Sequence, residues 1–165
     1  MRILGIDPGF AIVGWGIIDK VGAAYRPVAF GAIRTPAHTD FDKRLSMIYD
    51  DMNLLIEKYQ PNEMAIEELF FNNNTTTGIA VAEARGVILL SAIRHGIETF
   101  EYTPLQVKQA VVGYGRAEKN QVISMVTSLL RLKEAPKPDD TADALAIALC
   151  HAQSSNSLMA RYYNK

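Results

Sequence analysis

The stretch Ile3-Leu4-Gly5-Ile6-Asp7-Pro8-Gly9 decides the fold class, because an acidic residue follows directly on a short apolar run. Residues 3–6 have the composition of a short buried strand, and Pro8-Gly9 is typical of a turn. Residues 11–18 and 28–33 are predicted as a second and a third strand. Because the three strands are close in sequence, we expect them to form an antiparallel meander.

Outside this meander, the hydrophobic pattern predicts helices with short strands between them. A helix over residues 41–59 has apolar residues every three or four positions, and Pro61 ends it. Two short strands cover residues 64–66 and 99–102, and a polar loop covers residues 70–77. The other helices are predicted at residues 78–95, 106–112, 121–132 and 140–151. This order implies a mixed sheet with helices on its faces.

The 165-residue chain has the size and composition of one globular domain, with 48% hydrophobic residues and a formal net charge of −1. We expect this domain to cover residues 1–152 and residues 153–165 to form a flexible polar tail. A single cysteine, Cys150, excludes an internal disulfide framework and fits a reducing compartment. No stretch has the pattern of a signal peptide or the length of a membrane span, so we expect a cytoplasmic protein. The three histidines form no metal-binding set with the cysteine and are predicted to be structural or solvated: His38, His95 and His151.

Four acidic residues from distant parts of the chain are the strongest indication of chemistry. Asp7 ends the first predicted strand, Glu67 ends the fourth, and Asp140 and Asp143 open the last predicted helix. Carboxylates beside buried strands are costly unless something compensates their charge, and a bound divalent cation is one such group. Oxygen ligands of this kind suit Mg²⁺ or Mn²⁺, and a cluster of carboxylates is what two-metal phosphodiester chemistry requires.

Each of these acids also has an ordinary structural explanation. Asp140 and Asp143 share one helix face and suit the positive end of the helix dipole, with Asp139 as the natural N-cap. Asp7 fits a turn-initiating residue before Pro8-Gly9, and Glu67 fits a surface acid at a strand end. The set of four favours the catalytic interpretation, because strand ends of a mixed sheet converge on one edge and a helix can bring its first acids there.

Basic and aromatic residues are candidates for contacts with a nucleic acid. The segment Gly113-Tyr114-Gly115-Arg116, with Lys108 and Lys119, has the composition of a phosphate-binding surface, although an ordinary turn between helices explains the glycines equally well. Phe70 and Phe71 are candidates for base stacking or, alternatively, for an anchor in the core. The chain contains no P-loop motif.

The predicted helix at residues 78–95 is apolar on several faces, which one small sheet cannot cover. A second copy of the chain would bury the surplus, and the small residues Ala80, Ala84 and Gly86 would allow two helices to approach closely. We therefore expect a homodimer, with Leu89 or Ile93 on the shared face.

Several segments together resemble the RuvC family of bacterial Holliday-junction resolvases, which belongs to the ribonuclease H-like superfamily. They run in family order and extend from residue 1 to about residue 152. The matching segments are residues 1–9, Ala65-Ile66-Glu67 with Phe70 behind it, Gln106-Val107-Lys108, residues 111–119 and residues 140–146. The resemblance implies an α/β fold with a ribonuclease H-like mixed five-stranded sheet, three strands in an antiparallel meander and two parallel, flanked by helices on both faces.

The resemblance also implies a crossover junction endodeoxyribonuclease that makes paired symmetric nicks in DNA recombination and repair. It implies that Asp7, Glu67, Asp140 and Asp143 are the catalytic acids and bind two Mg²⁺ ions per site, for which Mn²⁺ would substitute. Together with the phosphate-binding segment above, it gives Phe70, Lys108, Arg116 and Lys119 as DNA-binding residues. Lys119 is also expected to offset charge in the transition state. The implied partners are four-way junction DNA, a second copy of the chain and the RuvA–RuvB branch-migration complex.

Two other functions remain open at this point. A ribonuclease H-like RNA-processing nuclease shares the opening strand that ends in Asp7, but it matches less well at Asp140 and Asp143 and at the aromatic residue after Glu67. An actin-like phosphotransferase also begins with an Asp-x-Gly strand, but it needs a longer chain with a second nucleotide-binding half.

Overall fold

The structure, a computed structural model, describes residues 1–69 and 75–154. The strands of this described part are β1 (Arg2–Asp7), β2 (Ile12–Val21), β3 (Ala24–Arg34), β4 (Glu63–Glu67) and β5 (Glu98–Tyr102). The helices are α1 (Phe41–Tyr59), α2 (Thr75–Arg94), α3 (Pro104–Val112), α4 (Lys119–Leu129) and α5 (Asp139–Ser154). None of these helices combines the length and the apolar character that crossing a membrane requires.

All five strands join one mixed sheet in the order β3-β2-β1-β4-β5. Strands β1, β2 and β3 are antiparallel neighbours, whereas β4 and β5 run parallel to β1. The predicted fold, a meander of three antiparallel strands extended by two parallel strands, is therefore confirmed.

The sheet separates two apolar layers, because side chains alternate between its faces. In β1, Leu4 and Ile6 pack in the layer of α1 and α2, whereas Ile3 packs with α3, α4 and α5. Gly5 also faces α5, since a Cβ at this position would meet Ala144. Helices thus cover both faces of the sheet, as predicted.

Several predicted helix boundaries are wrong. Residues 75–77 belong to α2 and not to the predicted loop, because packing of the apolar helix outweighs the low helix propensity of threonine. The rest of that predicted loop, residues 70–74, lies outside the described residues. Asp139 is the first residue of α5 and not its N-cap, and the backbone N–H of Thr141 donates to Pro138 O at 3.0 Å. Helix α5 also continues past His151 to Ser154, and the remaining tail lies outside the described residues.

Close approach of the α5 backbone to the sheet depends on two glycines. A Cβ on Gly5 would lie 2.1 Å from the carbonyl oxygen of Ala144, and one on Gly14 would lie 2.0 Å from the carbonyl oxygen of Asp140. Any side chain larger than hydrogen would push α5 away from β1 and β2. These contacts set the distance between the sheet and the acidic end of α5.

We predict that Gly5→Ala lowers the free energy of unfolding by at least the roughly 1–3 kcal/mol typical of an overpacked core, because the new methyl group meets backbone and not a mobile side chain. Urea denaturation followed by circular dichroism measures this change. Gly22→Asn is the control, since Gly22 has a φ of 61° that asparagine tolerates and a Cβ there meets nothing within 4 Å. Equal midpoints for Gly5→Ala and the wild type would show that α5 is not held this closely.

Candidate active site

Two of the predicted acids lie at the same edge of the sheet because their strands are parallel neighbours. Asp7 ends β1 and Glu67 ends β4, and the two strands pair from Ile3 with Glu63 to Ile6 with Ile66. Alternation along the strands places Asp7 on the side of Gly5 and Glu67 on the side of Ala65. Both of these small residues face α5.

The other two acids reach this edge on the first turns of α5. Gly14 pairs with Asp7 in the β1–β2 ladder, and the same Gly14 lies against the carbonyl of Asp140. Asp143 follows one turn later and lines a cavity together with Glu67. The three elements β1, β4 and α5 therefore bring together the four acids that the sequence predicts.

Crowding of negative charge is the dominant electrostatic feature here. Burial, followed by the charges of Asp143, Glu67 and Asp140, raises the pKa of Asp7 to about 8, and Lys119 offsets part of this effect. Burial and then the charge of Asp143 raise the pKa of Glu67, and Lys108 lowers it. With a pKa of about 8, Asp7 keeps its proton at neutral pH unless a cation stabilises its charged form.

Lys119 is the first residue of α4 and lies beside the acids of α5. Its Nζ is 3.2 Å from Asp143 Oδ2 and 3.6 Å from Asp139 Oδ2. Burial raises the pKa of Asp143, and Lys119 lowers it through its charge and a hydrogen bond. Because the Lys119 side chain remains 54% exposed, it can turn from the acids toward a phosphate without unfolding α4.

Lys108 lies across the same cavity, which has a volume of about 230 Å³. Helix α3 positions it through a capping box, in which Gln106 N donates to Thr103 Oγ1 at 3.1 Å and Thr103 N donates to Gln106 Oε1 at 2.8 Å. The cavity is lined by two acids, two lysines and four apolar residues: Glu67, Asp143, Lys108, Lys119, Pro104, Val107, Val122 and Ile147. It thus offers positive groups for a phosphate next to carboxylates.

One of the predicted DNA contacts does not line this cavity, and another lies outside the described residues. Arg116 is exposed in the turn between α3 and α4 and does not line the cavity. Phe70 lies outside the described residues, as does Phe71. Contacts of these residues with DNA therefore stay predictions.

The acids are grouped but are not in coordinating geometry. Within residues 1–69 and 75–154, no three histidine, cysteine, aspartate or glutamate side chains form a ready-made metal site. The donors are nevertheless carboxylate oxygens, which Mg²⁺ and Mn²⁺ prefer, and a cation would relieve the repulsion that raises the pKa of Asp7. The chemistry of the donor set therefore fits divalent cations.

Arg85 of α2 is a neighbour of the site that the sequence analysis missed. Its Nε donates to the backbone carbonyl of Glu67 at 3.3 Å, and its Nη2 lies 2.6 Å from Glu101 Oε2. Nη2 is buried and makes no hydrogen bond of ordinary geometry, so its contact with Glu101 is an ion pair. The guanidinium connects α2 to the ends of β4 and β5. The available signal was that Arg85 is the single basic residue in the mostly apolar stretch of residues 78–93.

Comparisons with known proteins identify the family of this chain. Residues 3–151 match the family model described as crossover junction endodeoxyribonuclease RuvC. A crossover junction endodeoxyribonuclease RuvC from Desulfitobacterium hafniense (strain DSM 10664 / DCB-2) is 60% identical over 158 residues, which cover 96% of each chain. One from Brevibacillus brevis is 58% identical over 153 residues, which cover 93% of this chain and 92% of the other.

The fold comparison gives the same family. The structure described as T. thermophilus RuvC in complex with Holliday junction substrate superimposes with a TM-score of 0.90 at 36% identity, over 94% of each chain. These matches favour the junction-resolvase interpretation over the RNA-processing and actin-like alternatives. Because the family match extends from the first strand to His151 in α5, the chain belongs to the RuvC family of crossover junction endodeoxyribonucleases.

Proposed function

We propose that this protein is a divalent-metal-dependent endonuclease that resolves four-way DNA junctions by paired symmetric nicks, in homologous recombination and DNA repair. The observation that carries the proposal is the grouping of Asp7, Glu67, Asp140 and Asp143 at one sheet edge, beside Lys108 and Lys119. Family membership supports the choice of substrate. Incubation with a synthetic four-way junction and Mg²⁺, analysed on a denaturing gel, tests it directly.

The four acids would hold two Mg²⁺ ions, and Mn²⁺ would substitute for them. When bound, the cations supply an activated water and stabilise the leaving oxygen. The chain's own contribution is to orient the carboxylates on rigid elements and to hold the phosphate. The expected products carry 5′-phosphate and 3′-hydroxyl ends.

Lys119 would change partners during the reaction. It lies against Asp143 and Asp139, whose charges it partly neutralises. Cations bound by the acids would take over this neutralisation, and the ammonium group of Lys119 would then be available to the phosphate, where it would offset charge that develops in the transition state. Lys108 and Arg116 would contact neighbouring phosphates, and Phe70 would stack on a base at the crossover.

The proposed homodimer rests on an exposed apolar stripe along α2. The stripe contains Ile79, Leu90 and Ile93, whose side chains are 58%, 50% and 68% exposed, with Gly86 between them. A Cβ on Gly86 would meet nothing within 4 Å, so a second helix could approach closely here. Two-fold symmetry would place one active site on each of two equivalent junction strands.

One of the residues suggested for this interface lies in the core. Ala84 is fully buried under the sheet, so it is not available to a partner. Leu89 is partly buried against the same core. Ile93 remains suitable for a test.

We also propose a cellular location and partner proteins for this enzyme. A junction nuclease of this family acts on chromosomal DNA, so we place it in the bacterial cytoplasm. A partner complex that moves the branch point, such as RuvA–RuvB, would deliver junctions to it. Co-purification of the three proteins on junction DNA would test this association.

We predict that Asp7→Asn, Glu67→Gln, Asp140→Asn and Asp143→Asn each slow junction cleavage by roughly 10²–10³-fold, the cost of losing one electrostatic group at a transition state. Junction binding in Ca²⁺ should persist in all four variants, because the phosphate contacts are retained. Cleavage rates at saturating Mg²⁺ and band-shift assays measure the two effects. Glu68→Gln is the matched control, since Glu68 is the exposed neighbour of Glu67. A variant that cuts at the wild-type rate would remove its residue from the required set.

We predict that Lys108→Ala and Lys119→Ala each weaken junction binding and reduce the slope of log affinity against log salt concentration by about one, because each removes one phosphate contact. Fluorescence anisotropy with labelled junctions between low and physiological salt measures this slope. Lys58→Ala is the control, because Lys58 lies near the end of β1 that is opposite to Asp7. Its neighbour Tyr59 marks this end, since the Tyr59 carbonyl accepts a hydrogen bond from Arg2. An unchanged slope in both cavity variants would exclude these phosphate contacts.

We predict that Ile93→Glu converts a dimer into a monomer and abolishes paired incision, because it places a charge on the apolar stripe of α2. Sedimentation at micromolar concentration and nicking of supercoiled cruciform DNA measure the two properties. Leu54→Glu is the control, since Leu54 is equally exposed (63%) but lies on α1. A wild-type protein that sediments as a monomer and still makes paired cuts would contradict the dimer.

A further inference from the structure

A largely buried network of hydrogen bonds lies on the α5 side of the sheet, and the proposed chemistry makes no use of it. His151 is 1% exposed, its Nε2 is 2.7 Å from Glu63 Oε2, and its Nδ1 is 2.7 Å from the hydroxyl of Tyr102. Phe100 packs against the imidazole with ring centroids 4.5 Å apart. These hydrogen bonds connect α5 with β4 and β5.

The direction of each hydrogen bond follows from the chemistry of the partners. A carboxylate only accepts, so Nε2 carries the proton and donates to Glu63. Nδ1 then has a lone pair and accepts from the hydroxyl of Tyr102. Burial lowers the pKa of His151, which favours the neutral imidazole that this pattern requires. Every polar atom of the imidazole is thus satisfied, and the ring has one orientation.

The position of this hydrogen-bond network relative to the acids is its most informative property. Glu63 and Glu67 are the first and last residues of β4 and lie on the same face of the strand. On α5, Asp143 and His151 lie two turns apart on the same stripe of the helix, on either side of Ile147. Glu63 and Glu67 are four residues apart on a strand, which corresponds to roughly 13 Å, and Asp143 and His151 are eight residues apart on a helix, which corresponds to roughly 12 Å. The two pairs therefore have matching separations.

We propose that Glu63, His151 and Tyr102 form a positioning clamp that sets the register of α5 against β4 and thereby the spacing between Glu67 and the acids of α5. The inference rests on the proposed function, since it gives the clamp a role in metal binding. Strand β4 runs toward the acids, and α5 runs away from them. The hydrogen bond between Glu63 and His151, at the end away from the acids, therefore opposes sliding of α5 along β4 at the acidic end. Tyr102 adds a third connection, because it pairs with Glu67 and its carbonyl accepts from Glu68 N at 2.9 Å.

None of the three clamp residues is a candidate ligand or contacts the phosphate. They act through the acids, so loss of the clamp should weaken cation binding more than it slows the reaction at saturating cation. We expect Tyr102→Phe and Glu63→Ala to weaken Mn²⁺ binding by about 10-fold, the lower end of the range for groups that orient metal-binding side chains. Cleavage at saturating Mn²⁺ should recover to within a few-fold of the wild-type rate.

The test uses the full chain and has two readouts. Isothermal titration calorimetry with Mn²⁺ alone measures cation affinity without DNA, and cleavage of a four-way junction against Mn²⁺ concentration separates half-saturation from maximal rate. Glu63→Gln is the conservative variant, because its amide oxygen still accepts from Nε2, and it should retain most of the affinity that Glu63→Ala loses. Ile56→Val is the control for lost stability, since Ile56 is buried in the other apolar layer.

The outcomes separate the possibilities. Weaker Mn²⁺ binding in Tyr102→Phe and Glu63→Ala, with recovery in Glu63→Gln and no change in Ile56→Val, supports the clamp. Wild-type Mn²⁺ affinity in Tyr102→Phe and Glu63→Ala, whatever their melting temperatures, overturns it and leaves a merely structural network. If the wild type binds Mn²⁺ but does not cut junctions, the proposed function fails while the clamp is still judged by calorimetry.

Discussion

The close contact between the α5 backbone and the first two strands is the constraint on which the site depends. Where Gly5 and Gly14 lack side chains, the carbonyl groups of Ala144 and Asp140 come within the distance that a Cβ would occupy. The helix can therefore place its acidic first turns over the ends of β1 and β4. A wider spacing would expose Asp7 and Glu67 and remove the charges of the α5 acids from them, which would lower their pKa values toward those of ordinary surface acids.

The clustered, partly buried acids destabilise the fold at the position of the proposed active site. Burial and mutual repulsion disfavour the charged form of Asp7, and Lys119 compensates only part of the excess charge. Apolar packing on both faces of the sheet stabilises the fold and offsets the free-energy cost of the acids. A divalent cation would convert the same repulsion into binding energy.

Much of this organisation could be predicted from the sequence, and the exceptions have identifiable reasons. Helix α1 begins and ends where its apolar period and Pro61 indicate, and the acids were recognisable because each one ends an apolar strand or opens an apolar helix. Side-chain partners distant in sequence were not recognisable. Nothing in the order of residues relates Glu63 to His151, or Arg85 to Glu101, because such pairs depend on three-dimensional packing. The same reason explains why Ala84 was expected on an outer face and lies in the core.

The burial of α5 has a consequence for how the protein fluctuates. Eleven of its residues are buried, from Thr141 to Ala152, so this helix cannot open without disrupting the layer of α3, α4 and the sheet. The acids at its first turns therefore share the cooperative unfolding unit of the whole domain. Arg116 lies in the exposed turn between α3 and α4, which can open at lower free energy than the packed helices. In the proposed function, this turn can adjust to a DNA arm while α5 preserves the spacing of the carboxylates.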